Sequence, residues 1–373
     1  MKRMDRPMTL KTFITRTVLT LGAGTALFFG TAWALSTETR AIPETQVGFM
    51  TIPLDVEHRD KTLDLHIWYP TDAAGKADLI AQNALMYGFH AHPDATPRAG
   101  AFPLVVLSHG SGGRMTQMAW LATALTQQGY IVAGVNHHGT TSKDSDPHRT
   151  IEIWDRPADH SAILDVFEAG PLRDITADMS NITSAGFSLG GHTALALAGA
   201  RVQKAAYIEY CDENAGMLDC GWMTKGGVDF NDIDAPRYEA SHKDARITAT
   251  FAIDPALPQA MGAESLGAMA LPTLLLNLGD YPQMPVGIDA APLMEHLPNA
   301  KHVAFAGSWH MSGIGECSPL GRLIIGASGY FTGEVNICGE AKRYRTIIQE
   351  EMVEEILPFM RANRAKSASD QSS

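Results

Sequence analysis

Between residues 103 and 307 the chain alternates short runs that are apolar at nearly every position with longer stretches of mixed character. The apolar runs are PLVVLS (103–108), YIVAGV (130–135), ITSAGF (182–187), ITATFAI (247–253), PTLLLNL (272–278) and HVAFAG (302–307). A strand without a polar face belongs inside a sheet covered on both sides, so these runs predict a mainly parallel sheet. Helices are expected between them over Met115–Gln128, Ala158–Phe167 and Leu189–Ala200, with a final amphipathic helix near Tyr344–Phe359. The alternation predicts one α/β domain.

Upstream, VGFMTIPLDV and LDLHIWYP flank the turn-like EHRDKT, which predicts an antiparallel hairpin. Thr71 to Pro103 is rich in Ala, Pro and Asp and reads as loop. Ala206 to Arg246 is polar, breaks the rhythm and is long for a connection, so it reads as an inserted, lid-like segment. Residues 366–373 read as a disordered tail.

The N-terminus follows another pattern. Lys2, Arg3, Arg6, Lys11 and Arg16 precede an apolar run that closes on Ala32-Trp33-Ala34. A basic start, a short apolar middle and an A-x-A close describe a signal peptide over residues 1–34; the rival is an uncleaved N-terminal membrane anchor. Either places the remainder outside the cytoplasm, periplasmic or secreted. Residues 35–46 form a spacer, and 47–365 form the folded domain with its insertion at 206–246.

Composition adds two constraints. The chain is 45% apolar and 19% charged, which fits an ordinary folded protein. Its formal charge of −12 deepens to −16 without residues 1–34, a balance that disfavours nucleic acid and anionic membrane surfaces as partners. The four cysteines, Cys211, Cys220, Cys317 and Cys338, all follow the export segment. Two disulfides are expected; Cys211–Cys220 with Cys317–Cys338 is the local pairing among three possible. No Cys/His spacing fits a metal, and no metal or organic cofactor is expected.

The central chemical signal is Gly186-Phe187-Ser188-Leu189-Gly190. Alone it is a weak string, but it follows an apolar strand and opens an Ala/Leu-rich helix, the setting of a nucleophile elbow. A tight turn that lifts Ser188 needs small neighbours, which Gly186, Gly190 and Gly191 supply. The Leu189 amide, at the helix start, would face a developing oxyanion. A second donor is expected from Ser111 in Ser108-His109-Gly110-Ser111-Gly112-Gly113, directly after the first parallel strand. His109 reads as packing beneath that loop, and His137-His138 as a solvated loop.

Downstream of the elbow, His310 in AGSWHMSG lies just past the last apolar strand and is preferred as base over His242, His296 and His302. Asp254 and Asp280 both follow strands, where such sheets gather their sites, and position leaves the acid open between them. The parts serve acyl transfer to water, with a small-molecule ester as substrate; amide, lactone and polyester cleavage are chemical alternatives, and an exported binding protein is the non-catalytic one.

The run LVVLSHGSGGRMTQMAWLATALTQQGYIVAGVNHHG, with RPADHSAILD, SAGFSLGGHTAL, TFAIDPAL, FAGSWHMSG and CSPLGR…ICGE, resembles the plasma-type platelet-activating-factor acetylhydrolases and bacterial relatives labelled predicted dienelactone hydrolases. The resemblance spans about residues 47 to 360, in order. It implies an α/β-hydrolase fold with Ser188 as nucleophile, His310 as base, Asp254 rather than Asp280 as acid, and Ser111 as loop donor. True dienelactone hydrolases carry a cysteine where Ser188 stands, so that substrate does not transfer.

Overall fold

The computed structural model describes residues 45–332, 335–339 and 341–370. The export segment expected over 1–34, and the spacer as far as residue 44, lie outside the described residues. The described residues divide into two compact units: the larger holds 45–81, 88–316 and 341–370, and the smaller holds 82–87, 317–332 and 335–339.

In the larger unit the strands are β1 (Val47–Leu54), β2 (Leu63–Pro70), β3 (Asp78–Ile80), β4 (Phe89–Pro93), β5 (Ala101–Ser108), β6 (Ile131–Val135), β7 (Thr176–Phe187), β8 (Ala249–Ile253), β9 (Thr273–Leu278) and β10 (Ala300–Phe305). They form one sheet in the order β10-β9-β8-β7-β5-β6-β2-β1-β4-β3. Each apolar run of the sequence is a strand, and from β10 to β6 every neighbouring pair is parallel. The burial explains the pattern, for β6, β8 and β9 are buried at every position. The chain steps from β5 to β6 on one side and returns as β7 on the other. A reversal of that kind opens a crevice at the carboxyl ends of the strands.

The expected hairpin is β1–β2, paired antiparallel from Val47 opposite Pro70 to Leu54 opposite Leu63. Residues 71–103 are not simply loop. β4 runs parallel to β1 and β3 pairs with β4, extending the sheet edge. The strand FHAHP buries Phe89 and Ala91 and turns His90 and His92 outward, so its period of two is carried by histidines rather than by obviously polar residues.

Among the described residues the helices of eight or more residues are α1 (Ala119–Gln127), α2 (Asp155–Glu168), α3 (Leu189–Ala198), α4 (Lys204–Glu213), α5 (Leu218–Lys225), α6 (Pro319–Thr332) and α7 (Arg345–Asp370). α3 is buried along its whole length and lies on β7 and β8. One core cluster joins β1, β2, β5 and β6 to α2; another joins α3, β8 and β9 to the 206–246 insertion. That insertion is helical. α4 and α5 are linked by Cys211–Cys220 and bury Tyr207, Tyr210 and Met223. α7 is assigned as far as Asp370, and 371–373, the end of the tail expected over 366–373, lie outside the described residues.

The smaller unit is built on α6. The Ser318 amide, just before the helix, donates to Leu85 O at 3.0 Å, and Cys317 is disulfide-bonded to Cys338. Glycines at 321, 326 and 329 dilute the apolar pattern of α6, which is why the sequence did not announce it.

The Cys211–Cys220 bond closes a short loop between α4 and α5, worth about 2–3 kcal/mol by loop-closure entropy. Cys211→Ser with Cys220→Ser should therefore lower the melting temperature and speed chymotryptic cleavage within 204–225. An unchanged melting curve would mean the hairpin is held by packing alone.

Candidate active site

Four loops at the carboxyl ends of β5, β7, β8 and β10 bring together the residues that the sequence singled out. Ser188 stands between β7 and α3 with φ 58° and ψ −120°, a conformation costly for any residue but glycine. The turn is held on both sides: the Ser188 amide donates to Ile253 O at 2.9 Å, and the His192 and Ala256 amides donate to Ser188 O at 3.1 and 2.9 Å. The sharpness depends on missing side chains. A Cβ on Gly186 would sit 2.1 Å from Gly190 O, and one on Gly190 would sit 2.1 Å from Ser108 O.

His310 lies over this turn, with Nε2 3.1 Å from Ser188 Oγ and Nδ1 2.9 Å from Asp254 Oδ2. Asp254 is fully buried, and an ionised carboxylate only accepts. His310 therefore donates from Nδ1, which leaves Nε2 to accept the Ser188 hydroxyl proton. The second carboxylate oxygen accepts from the Leu278 amide at 2.7 Å and from Asn277 Nδ2 at 2.9 Å. Asn277 escaped the sequence reading, although a lone amide inside the apolar strand TLLLNL was a signal for a buried polar task.

Asp280 is elsewhere. It pairs with Lys342 and accepts from the Gly307 amide at 2.7 Å, so it serves the β10 turn rather than His310. The loop carrying His310 is itself fastened: Trp120 Nε1 of α1 donates to Gly313 O at 3.0 Å, and Gln349 Nε2 of α7 donates to Ser312 O and Ile314 O. His302 Nε2 donates to Asn277 Oδ1 at 2.9 Å.

Ser188, His310, Ser111 and Leu189 all line one cavity of about 370 Å³. Leu189 is the first residue of α3, so its amide has no intrahelical partner. In the β5 loop the Gly112 and Gly113 amides are engaged with Thr140 O and Gly110 O, while Ser111 borders the cavity. The remaining wall is mostly apolar, with Ile151, Ile153, Leu257 and Met311 joined by Tyr207, Leu218, Trp222 and Met223 from the disulfide-linked hairpin; Ser145, Thr150 and Asp219 are its polar members. His137, expected in a solvated loop, is fully buried, because it points back under the β5 loop rather than outward. Among the described residues no group of three or more His, Cys, Asp or Glu side chains is placed to hold a metal ion.

Residues 89–150 match the family described as platelet-activating factor acetylhydrolase, isoform II. No curated protein matches the chain. Among solved structures, a ferulic acid esterase from Streptomyces cinnamoneus is 19% identical, covering 87% of this chain and 90% of that one with a TM-score of 0.57. A dienelactone hydrolase from Anabaena variabilis is 16% identical over 78% of this chain and 99% of that one, with a TM-score of 0.40. Sheet order, elbow and the likeness to the ferulic acid esterase define an α/β-hydrolase fold. Within it, the stretch matched to the acetylhydrolase family runs from β4 through β5 and β6 to the loop that borders the cavity.

Gly190→Ala should be poorly tolerated, because its Cβ meets the Ser108 carbonyl and not a flexible side chain. Overpacking of this kind costs about 1–3 kcal/mol, read as a lower melting temperature together with a displaced Ser188. A variant of native stability and native reactivity toward serine reagents would contradict the close approach described.

Proposed function

We propose that the chain is an exported serine hydrolase that cleaves carboxylic esters through an acyl-enzyme, without metal or organic cofactor. The observation that carries this reading is the unbroken Ser188–His310–Asp254 hydrogen-bond chain at a strained turn, facing a mostly apolar cavity. His310 takes the Ser188 proton as Oγ attacks the ester carbonyl, and Asp254 holds the imidazole and stabilises its cation. The Leu189 and Ser111 amides receive the oxyanion. The proton then passes from His310 to the leaving alcohol, and water activated by His310 releases the acid. Export is supported by two disulfides, which persist in oxidising compartments. Among the described residues no helix is long and apolar enough to cross a membrane.

Ser188→Ala should abolish turnover of a short p-nitrophenyl ester. Asp254→Asn should lower kcat by about 10⁴-fold, as expected when the imidazole loses its orienting carboxylate. Asp280→Asn should stay within about twofold of the parent, since nothing ties that carboxyl to His310. Undiminished turnover in the Ser188 variant would remove the reading, and the reverse ranking of the two aspartates would reassign the acid.

The mostly apolar wall, with Asp219 as its one acidic member besides the Ser145 and Thr150 hydroxyls, supports a substrate with a hydrophobic group beside the ester rather than an anionic one. Each buried methylene is worth about 0.8 kcal/mol, so kcat/KM should rise roughly threefold to fourfold per carbon until the cavity fills. Trp222→Ala should flatten that rise in a panel of graded acyl esters and of graded alcohol esters. A chain-length profile untouched by the substitution would remove the hairpin from substrate selection.

A further inference from the structure

Beneath the β5 loop lies a second Ser–His–Asp chain that the reaction above does not use. Ser108 Oγ donates to His137 Nε2 at 2.9 Å, and His137 Nδ1 donates to Asp159 Oδ2 at 2.7 Å. All three residues have no exposed surface, so no substrate reaches Ser108 and the chain is not a second active site.

Its proton directions are fixed from the acidic end. Asp159 accepts from His58 Nε2 at 2.8 Å, from Arg59 Nε and Nη2 at 2.6 and 2.7 Å, and from His137. Burial alone would raise this carboxyl, but the hydrogen bonds from His137, His58 and Arg59 outweigh it and hold the pKa well below the usual carboxylate range. An ionised Asp159 keeps the His137 proton on Nδ1. Burial, reinforced by the Arg156 charge, holds His137 well below its ordinary pKa, so the ring is neutral and Nε2 accepts. The His160 ring packs against it at 5.2 Å and, lowered to about 4 by burial, adds no charge.

The other end grips the loop. With its proton committed to His137, Ser108 Oγ accepts from Arg156 Nη1 at 3.2 Å. The same guanidinium donates to His109 O at 2.8 Å and to Thr140 Oγ1 at 3.1 and 3.3 Å. The His109 ring donates from Nδ1 to Gly110 O at 2.7 Å and accepts the His137 amide at 3.1 Å. Thr140 O in turn accepts the Gly112 amide at 2.9 Å. Ser111 is thus the residue between two anchored stretches, and it borders the cavity that holds Ser188.

We propose that Asp159, His137 and Arg156 are positioning residues that lock the 108–113 loop so that the Ser111 amide meets the oxyanion; this rests on the serine-hydrolase reading. A buried charge cluster that only stabilised the fold would have no reason to act on the reaction step alone.

The test is Arg156→Lys in the full chain, which keeps the charge but loses the fork that reaches His109 O, Ser108 and Thr140 together. Removal of a single oxyanion donor costs about 10²–10³ in kcat, so a displaced one should cost about 10–100-fold with KM within about twofold. The inhibition constant of a trifluoromethyl ketone, whose adduct places an oxyanion in the same hole, should weaken by the same factor as kcat/KM. Ser108→Ala serves as the milder variant should Arg156→Lys fail to fold; it removes the hydroxyl that links His137 to Arg156 and should act in the same direction by a few-fold. A folded variant whose kcat and ketone affinity match the parent would overturn the proposal. So would a loss confined to KM or to melting temperature. A wild-type protein that turns over no ester would instead sink the hydrolase reading, and that is visible before any variant is made.

Discussion

Ser188 is held at φ 58°, and the rest of the site is arranged around keeping it there. A serine in that conformation is costly by about 1–3 kcal/mol and persists only when its surroundings over-determine it. Here they do: β7 delivers the turn, buried α3 carries it away, and three backbone hydrogen bonds join it to the end of β8 and the first turn of α3. Gly186 and Gly190 let the backbone strands close to distances no side chain would allow. The turn is thereby fastened to β8, a strand buried at every position.

The same economy governs the partners of Ser188. Asp254 sits without exposure yet has both oxygens satisfied, by His310 on one side and by Asn277 and Leu278 on the other. A buried carboxylate lacking any of these donors would carry an uncompensated desolvation cost. His310 stays over the serine because α1 and α7 hold its loop by its carbonyls. On the opposite side, the loop that borders the cavity is tied through Arg156 to a buried chain of proton donors ending at Asp159. The site is therefore a surface feature resting on three buried polar anchors.

Much of this was legible in the sequence, for definite reasons. Parallel strands announce themselves because both faces are buried, and Gly-Phe-Ser-Leu-Gly drew its meaning from the strand before it and the helix after it. His310 followed from chain order. The acid did not follow: Asp254 and Asp280 both end strands, and only the folded geometry separates the one that meets His310 from the one that meets Lys342. What stayed hidden was long-range or masked by residue type. β4 alternates through histidines, α6 is diluted by glycines, and the 206–246 segment looked polar while its tyrosines and cysteines were packing inward. His137 and Asp159 are 22 residues apart, and nothing local marks them as partners.

The central claim is that Ser188 is an activated nucleophile, and peptide mapping after exposure to a fluorophosphonate tests it most directly. The account predicts one adduct, on the peptide that contains Ser188, formed in the native protein and lost on unfolding. Absence of an adduct in folded protein, or an adduct on another serine, would contradict it.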